Sequence, residues 1–439
     1  MNKNIVSILL SCLLLACSSN NNNNKQVEIQ SIDSLSVINL SENVMSVSSY
    51  ALSEAVEKVD IVELEVSDES LLGEIRQLEV SSNDIWVTSY KDELIYRFNH
   101  EGKFLNKVGK KGQGAGEYVN LWNFAVDDEN KQIYVLTASM GVFLYDYAGN
   151  FIRKVTSSMM NKMFQANEQR LQCVQQRPFL FQNLCLIEPI NNLKDSLWSI
   201  ALLDKDFNKT KIFKNPAHLG KEELLWENRA EYIGWKNYWA EIPTRTDFYG
   251  GQFTMKYPDT DTIYCYKTDI KSFVPLYSIA CTEPRGNYGE THQRFKTRSA
   301  LSYFRIQDYK ETKGYVYLKA LKGEKVLTYA YNRESGQVRV VEQSCKILER
   351  KRPGMPKPTL YYADIPSAFV NDFMGGQFQL DYASSGKYWV DVFNSGSDEV
   401  DEMIAVLKKS TNERSDILLK SLTKMNEDSN PLLLIATLK

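Results

Sequence analysis

Two stretches of this chain follow the same course, and that repetition limits its possible folds more than any other feature. Ile85-Trp86-Val87 is bounded by the turn cluster Ser81-Ser82-Asn83-Asp84, and Leu94 to Phe98 leads through Asn99-His100-Glu101-Gly102 into Phe104 to Val108. One unit later, Ile133-Tyr134-Val135 follows Asp127-Asp128-Glu129-Asn130, and Phe143-Leu144-Tyr145 turns at Asp146-Tyr147-Ala148-Gly149 into Phe151 to Val155. Phe98 and Tyr145, Gly102 and Gly149, Phe104 and Phe151, and Val108 and Val155 are each 47 residues apart, and Trp86 and Tyr134 are 48 apart. Short aromatic and β-branched runs punctuated by Gly, Asn and Asp read as strands joined by tight turns.

Weaker copies follow. Taking Trp86, Tyr134, Trp198, Tyr264, Val316 and Trp389 as six anchors gives spacings of 48, 64, 66, 52 and 73, so the later units carry insertions. Residues 51–439 then allow about 65 residues for each unit, enough for four strands of ~5–6 residues with their loops. Four-stranded units that cannot cover their own apolar faces must be covered by neighbours, and radial repetition achieves this. The expected fold is therefore all-β, a six-bladed β-propeller of four-stranded blades spanning 51–439. Composition agrees: 25 Tyr, 19 Phe and 7 Trp suit pleated, half-buried surfaces. A stack of separate sandwich domains would need Pro/Gly-rich linkers, and 12 prolines in 439 residues supply none that stands out. Near the C-terminus, Ser397-Asp398 followed by Val400, Met403, Ile404 and Leu407, then Leu418, Leu422 and Met425, predicts a small helical insertion.

The first residues read as an export signal. Lys3 precedes an apolar run from Ile5 to Leu15, too short to span a bilayer, that ends in Leu14-Leu15-Ala16-Cys17. This resembles a bacterial lipobox and predicts residues 1–17 as a lipoprotein signal ending at a lipidated Cys17. Residues 18–50, with five consecutive asparagines from Asn20 to Asn24, are expected to form a flexible tether and lead-in. The expected location is the envelope of a Gram-negative bacterium, lipid-anchored at the outer membrane and facing the periplasm or the surface.

Gly109-Lys110-Lys111-Gly112-Gln113-Gly114-Ala115-Gly116-Glu117-Tyr118 is rich enough in glycine to carry the chain sharply between units. It is not a P-loop, because its glycines lead into a strand and no Lys-Ser or Lys-Thr opens a helix. The segment resembles the glycine-rich signature between blades of NHL-like six-bladed propellers, and more narrowly a propeller lipoprotein family of gut anaerobes. Asp259 to Tyr264 with Phe273 to Tyr277, the pair Glu311-Thr312, and Asn430-Pro431-Leu432-Leu433 resemble further segments of that family. Ala115 departs from the proline usual there. In such an arrangement Glu117, Tyr118, Trp122 and Asn123 would lie near the mouth of a central channel and face a ligand. The competing expectation is that Glu117 satisfies loop N–H groups and Tyr118 packs between blades.

Other constellations are sparse. Trp226, Tyr232, Trp235, Tyr238 and Trp239 form a candidate aromatic surface for stacking on sugars or peptides, or else a self-packed loop. Cys173 with Cys185, or Cys265 with Cys281, could be disulfides, but five cysteines follow Cys17 and single buried thiols fit them better. His100, His218 and His292 are the only histidines, fall in turns or polar loops, and have no nucleophile beside them. Neither a metal motif nor a cofactor motif occurs. With 52 basic and 55 acidic residues, the net charge of −3 rules out a broad phosphate-binding surface and nucleic acid as a partner. Two function classes remain. The first is an extracytoplasmic binding or scaffold lipoprotein for a glycan, peptide or protein. The alternative is a Ca²⁺-dependent propeller hydrolase or oxidoreductase with its site at the central channel. Ring closure is expected to pair Val59–Val66 with Leu432–Leu438 in one blade, since either run left open would expose an edge.

Overall fold

The computed structural model describes residues 35–137, 141–155, 179–181, 184–187, 200–203, 209–220, 245–257, 260–284, 301–350 and 359–439. The strands fall into successive antiparallel meanders. The first blade is Ile75–Val80, Asp84–Ser89, Ile95–Asn99 and Phe104–Val108. The second is Leu121–Asp127, Gln132–Thr137, Val142–Asp146 and Phe151–Val155. The third runs Phe179–Phe181, Leu184–Ile187, Ile200–Leu203 and Lys209–Phe213. Arg245–Tyr249, Gln252–Lys256, Thr262–Lys267 and Ser272–Ala280 make the fourth. Arg305–Glu311, Tyr315–Lys322, Lys325–Asn332 and Val338–Ser344 make the fifth.

The sixth blade draws on both ends of the chain. Tyr382–Ser384, Tyr388–Phe393 and Leu432–Leu438 are completed by Val56–Glu63 as outermost strand. The register sets Leu433 opposite Val62 and Ile435 opposite Asp60, so the expected closure is what forms. Both faces of the C-terminal strand are buried: Leu434 packs into the core between the fifth and sixth blades, Leu433 and Ile435 into that between the sixth and first. First strands of successive blades touch along the sixth, first, second and third, and again between the fourth and fifth, as radial packing requires. The chain is a β-propeller.

Part of the expected lead-in is itself strand. Ser36–Asn39 pairs parallel to the outer strand of the fourth blade, Val44–Ser46 to that of the fifth, and Tyr50–Ala51 to Phe369–Val370. From residue 36 the chain thus runs along the rims of the fourth and fifth blades and a small separate sheet before closing the sixth. The two described α-helices, α1 (Asp398–Leu407) and α2 (Ser415–Lys424), are inserted between the second and third strands of the sixth blade. They bury Val400, Leu407, Leu418 and Leu422 against the core, as their spacing predicts, although the Ser397 hydroxyl makes no capping bond.

Apolar cores lie between blades rather than within them, which explains why every residue of Asp84–Ser89 is buried. Between the first two blades, Trp86, Ile95, Tyr118, Phe124, Ile133 and Phe143 share one cluster. The paired turn glycines answer the same packing. Gly102 and Gly149 have φ of +81° and +90°, and a Cβ at Gly102 would lie 2.1 Å from the Glu63 carbonyl oxygen on the outer strand of the preceding blade. At Gly149 it would lie 2.8 Å from Lys107 O, again on the preceding blade. The 47-residue period is thus a period of inter-blade contacts. Not every anchor sits at the same place. Trp86, Tyr134, Val316 and Trp389 occupy second strands, whereas Tyr264 lies in a third strand, since a turn followed by Thr-Ile-Tyr reads alike for either. Trp198 lies outside the described residues.

Candidate functional site

A cavity of about 470 Å³ opens between the first strands of five blades: the first, second, fourth, fifth and sixth. That volume is in the range of small-molecule sites. Its wall carries Ala125 and Val126 from the second blade, Arg245 to Phe248 from the fourth, Asp308 to Glu311 from the fifth, and Tyr382 to Gly386 from the sixth.

Polar side chains stitch the neighbouring first strands together around this space. Gln77 of the first blade donates through Nε2 to Phe124 O at 2.8 Å and accepts from Phe124 N at 3.2 Å. Ser384 of the sixth accepts from Val80 N at 2.7 Å and donates to Glu79 Oε2 at 2.6 Å. At the junction of the fourth and fifth blades, Asp247 Oδ2 accepts from Glu311 N at 2.6 Å.

Charge concentrates at this last junction. Glu311, 4% exposed, accepts from Arg333 Nη2 at 2.5 Å and from the Thr254 hydroxyl, to which Tyr309 OH donates at 3.0 Å. Lys310 Nζ donates to Asp308 Oδ2 at 3.0 Å. Burial, with Glu311 adding repulsion, pushes the Asp247 carboxyl up to about 7 against the opposing pull of Lys310. Burial also opposes ionisation of Asp308, but Lys310 and Arg245 outweigh it and hold this carboxyl below its ordinary range. Across the cavity, burial lifts Asp381 to about 6, partly offset by the bond from Val392 N. Burial lowers the Lys319 ammonium, although Asp308 and Asp381 favour it. Among the described residues, no group of three or more His, Cys, Asp or Glu side chains converges as a metal cage.

Two of the residues expected at a channel mouth, Glu117 and Tyr118, lie in the loop and interface between the first two blades. Tyr118 is 1% exposed, packs edge-on against Phe143 and Tyr145 with centroids 5.8 and 6.2 Å away, and donates to Glu93 O at 3.0 Å. Burial raises its phenol well above the usual range. Glu117 accepts from Gly114 N at 3.0 Å and pairs with Lys110 at 2.8 Å, and these contacts hold its carboxyl low. Both therefore shape the loop and the blade interface, as the competing expectation had it. Trp122 and Asn123 sit on the first strand of the second blade, and Asn123 is not in the cavity wall. Trp226, Tyr232, Trp235, Tyr238, Trp239, Cys17, Cys173 and His292 lie outside the described residues. Cys265, Cys281 and Cys345 are free thiols, so a Cys265–Cys281 disulfide is not formed. His100 donates through Nε2 to Ser81 O at 3.0 Å and packs on Tyr388, a contact between the first and sixth blades. His218 ends a short 3₁₀ turn.

A family model described as a domain of unknown function, DUF4934, matches residues 35–437. The chain belongs to the DUF4934 family. The match starts one residue before the first rim strand and ends inside the last strand, so the DUF4934 unit includes the rim segment and the closure. No curated protein matches the sequence. Among solved structures, a Bacteroides fragilis protein described as exported has a TM-score of 0.58 at 17% identity, covering 92% of this chain and 100% of its own. A member of the DUF4221 family from Bacteroides vulgatus has a TM-score of 0.44 at 10% identity, covering 88% and 97%. BamB from Moraxella catarrhalis has a TM-score of 0.34 at 11% identity, covering 64% and 78%. The first of these likenesses agrees with the DUF4934 chain's fold and carries no ligand with it. No helix among the described residues is long and apolar enough to cross a membrane.

Sequence reasoning missed Arg245, Asp247, Asp308 and Lys319. The only pointer was the Glu311-Thr312 pair, which ends the first strand of the fifth blade at this cluster. Charged residues alternating on a strand read as a solvated face, and only radial assembly turns that face toward a channel.

Proposed function

We propose that this chain is an exported, lipid-anchored binding protein of the Gram-negative cell envelope, a six-bladed propeller whose central channel receives a glycan, a peptide or a segment of a protein partner. The observation that carries this reading is the cavity of about 470 Å³ framed by first strands of five blades, with polar and aromatic side chains in one wall. A binder rather than a catalyst is favoured by the way its carboxylates are engaged. Asp247 holds a backbone N–H, Glu311 is held by Arg333 and Thr254, and Asp308 is paired with Lys310. The Leu14-Leu15-Ala16-Cys17 segment supports lipidation at Cys17, and the exported description of the Bacteroides fragilis protein supports a place outside the cytoplasm.

Two experiments test this. Mass spectrometry of the membrane fraction should find acyl groups on Cys17, and Cys17→Ser should release the protein; an unlipidated chain with another mature terminus would contradict the anchor. A thermal-shift screen of short glycans and peptides should return a ligand whose stabilisation disappears when Ala125→Trp fills the channel. Hits indifferent to that change would put the site elsewhere.

A further inference from the structure

One corner of the cavity has more cationic donors than partners for them. Asp308 and Lys319 are direct cross-strand neighbours in the fifth blade, a register that ordinarily yields an ion pair. Here the Asp308 carboxylate is taken by Lys310 at 3.0 Å instead. Lys319 is left lining the cavity with no hydrogen bond or ion pair to any described residue. Arg245, on the first strand of the fourth blade, lines the same cavity, and its buried Nε also has no hydrogen-bond partner among the described residues. A buried donor without an acceptor is costly, and a ligand oxygen is the usual remedy in a concave site.

We propose that the channel binds a small molecule through a carboxylate seated between Lys319 and Arg245, an assignment that rests on the channel being the ligand site. Charge selects the class. Three cations, Arg245, Lys310 and Lys319, surround one ionised partner, Asp308, while Glu311 is matched by Arg333. The other carboxyls lining the cavity are Asp247, pushed up to about 7, Asp381, pushed up to about 6, Glu79, and Asp128, which is paired with Lys131 at 2.8 Å; Asp391 and Glu399 stand behind Asp381. Below neutrality the corner therefore holds uncompensated positive charge, which shrinks as Asp247 and Asp381 ionise.

Three hexoses of matched size separate the possibilities: D-glucuronate, D-glucose and D-glucosamine, titrated calorimetrically into the full chain. Glucuronate should bind roughly tenfold to a hundredfold more tightly than glucose, as expected for one charge-assisted bond. Glucosamine should bind most weakly. The preference should collapse in Lys319→Gln and in Arg245→Gln, persist in Lys319→Arg, and be larger at about pH 5 than at about pH 8. Circular dichroism of each variant checks that it is folded. A preference for glucosamine, an intact preference in both Gln variants, or no glucuronate binding overturns the anion assignment. Glucose or glucosamine binding lost on Ala125→Trp would leave the channel reading standing while this assignment falls. Glucuronate binding that survives both Ala125→Trp and Lys319→Gln sinks both.

Discussion

Removing residues 430–439 should unfold the entire propeller, because this segment supplies the third strand of the closing blade. Leu432–Leu438 is hydrogen-bonded on one side to Tyr388–Phe393 and on the other to Val56–Glu63, so its loss opens both ladders. It also strips two inter-blade cores at once, since Leu433 and Leu434 are each 0% exposed and face opposite sides. A single truncation, Leu434→Ala, isolates the packing part and should cost about 3 kcal/mol, within the usual range for a fully buried leucine. Spread over the ~400 residues of the compact unit, at about 2.1 cal/mol/K of unfolding entropy each, that lowers Tm by on the order of 4 °C.

Calorimetry and denaturant titration followed by tryptophan fluorescence are the assays. Leu434→Ala should shift a single cooperative transition without splitting it, because opening the ring weakens both of its neighbours. The ten-residue deletion should show no cooperative transition at the wild-type temperature. If the truncated protein melts as the intact one does, or if Leu434→Ala melts only a subset of the signal, the terminal strands do not lock the ring.

Asn430→Ala should cost about 2–3 kcal/mol by denaturant titration, because its side chain accepts from Leu72 N at 2.8 Å and donates to Glu65 O and Ser70 O, groups that would be left buried and unpaired. Gly102→Ala should destabilise clearly more than Gly323→Ala: both have positive φ, but only at Gly102 does the new Cβ meet a neighbouring blade. Equal losses would show that conformation alone decides. Tyr118→Phe, which removes the bond to Glu93 O, should cost about 1 kcal/mol, and Tyr118→Ala about 3–5 kcal/mol, with neither altering ligand binding. Asp247 has a folded-state value of about 7, above its unfolded value, so its contribution is present in acid and lost as pH rises through 7. Asp247→Asn keeps the acceptor for Glu311 N without the charge and should be the more stable protein at about pH 8, by at most about 4 kcal/mol, and no more stable at about pH 4.

What could be read from the sequence follows from which interactions are local. The Phe98/Tyr145 and Gly102/Gly149 correspondences were legible because each reports a hairpin and the blade behind it, and both hairpins have one length. The third blade, whose described strands are three to five residues long, offers no such spacing. The rim segment was hidden for another reason. Ser36–Asn39 and Val44–Ser46 are short strands added parallel to sheets more than 200 residues away, so nothing near them in sequence signals their partners. Glu117 and Tyr118 left two expectations open because a loop between blades reads the same whether its side chains point into a channel or between two sheets. Tyr118 is drawn inward by Phe143 and Tyr145, which belong to the next blade.

The junctions of the first strands show why the channel's chemistry falls where it does. Each neighbouring pair has to satisfy backbone groups that no ladder reaches, and three junctions do so with a single side chain: Gln77, Ser384 and Asp247. An amide or a hydroxyl performs this task without charge. A carboxyl does not, and placing Asp247 among Glu311 and Asp308 requires cations nearby, which Arg245, Lys310 and Arg333 provide. Those cations are committed unevenly: Arg333 to Glu311, Lys310 to Asp308, and neither Arg245 Nε nor Lys319 to any described side chain at hydrogen-bond distance. If the fourth–fifth junction were only a structural stitch, replacing Asp247 by Asn together with Lys319 by Met would relieve two buried charges and stabilise the fold at neutral pH. If the surplus donors serve a ligand, the same double variant would be stable and would no longer bind it. Measuring stability and hexose binding on that one protein separates what the ring needs to close from what the channel holds.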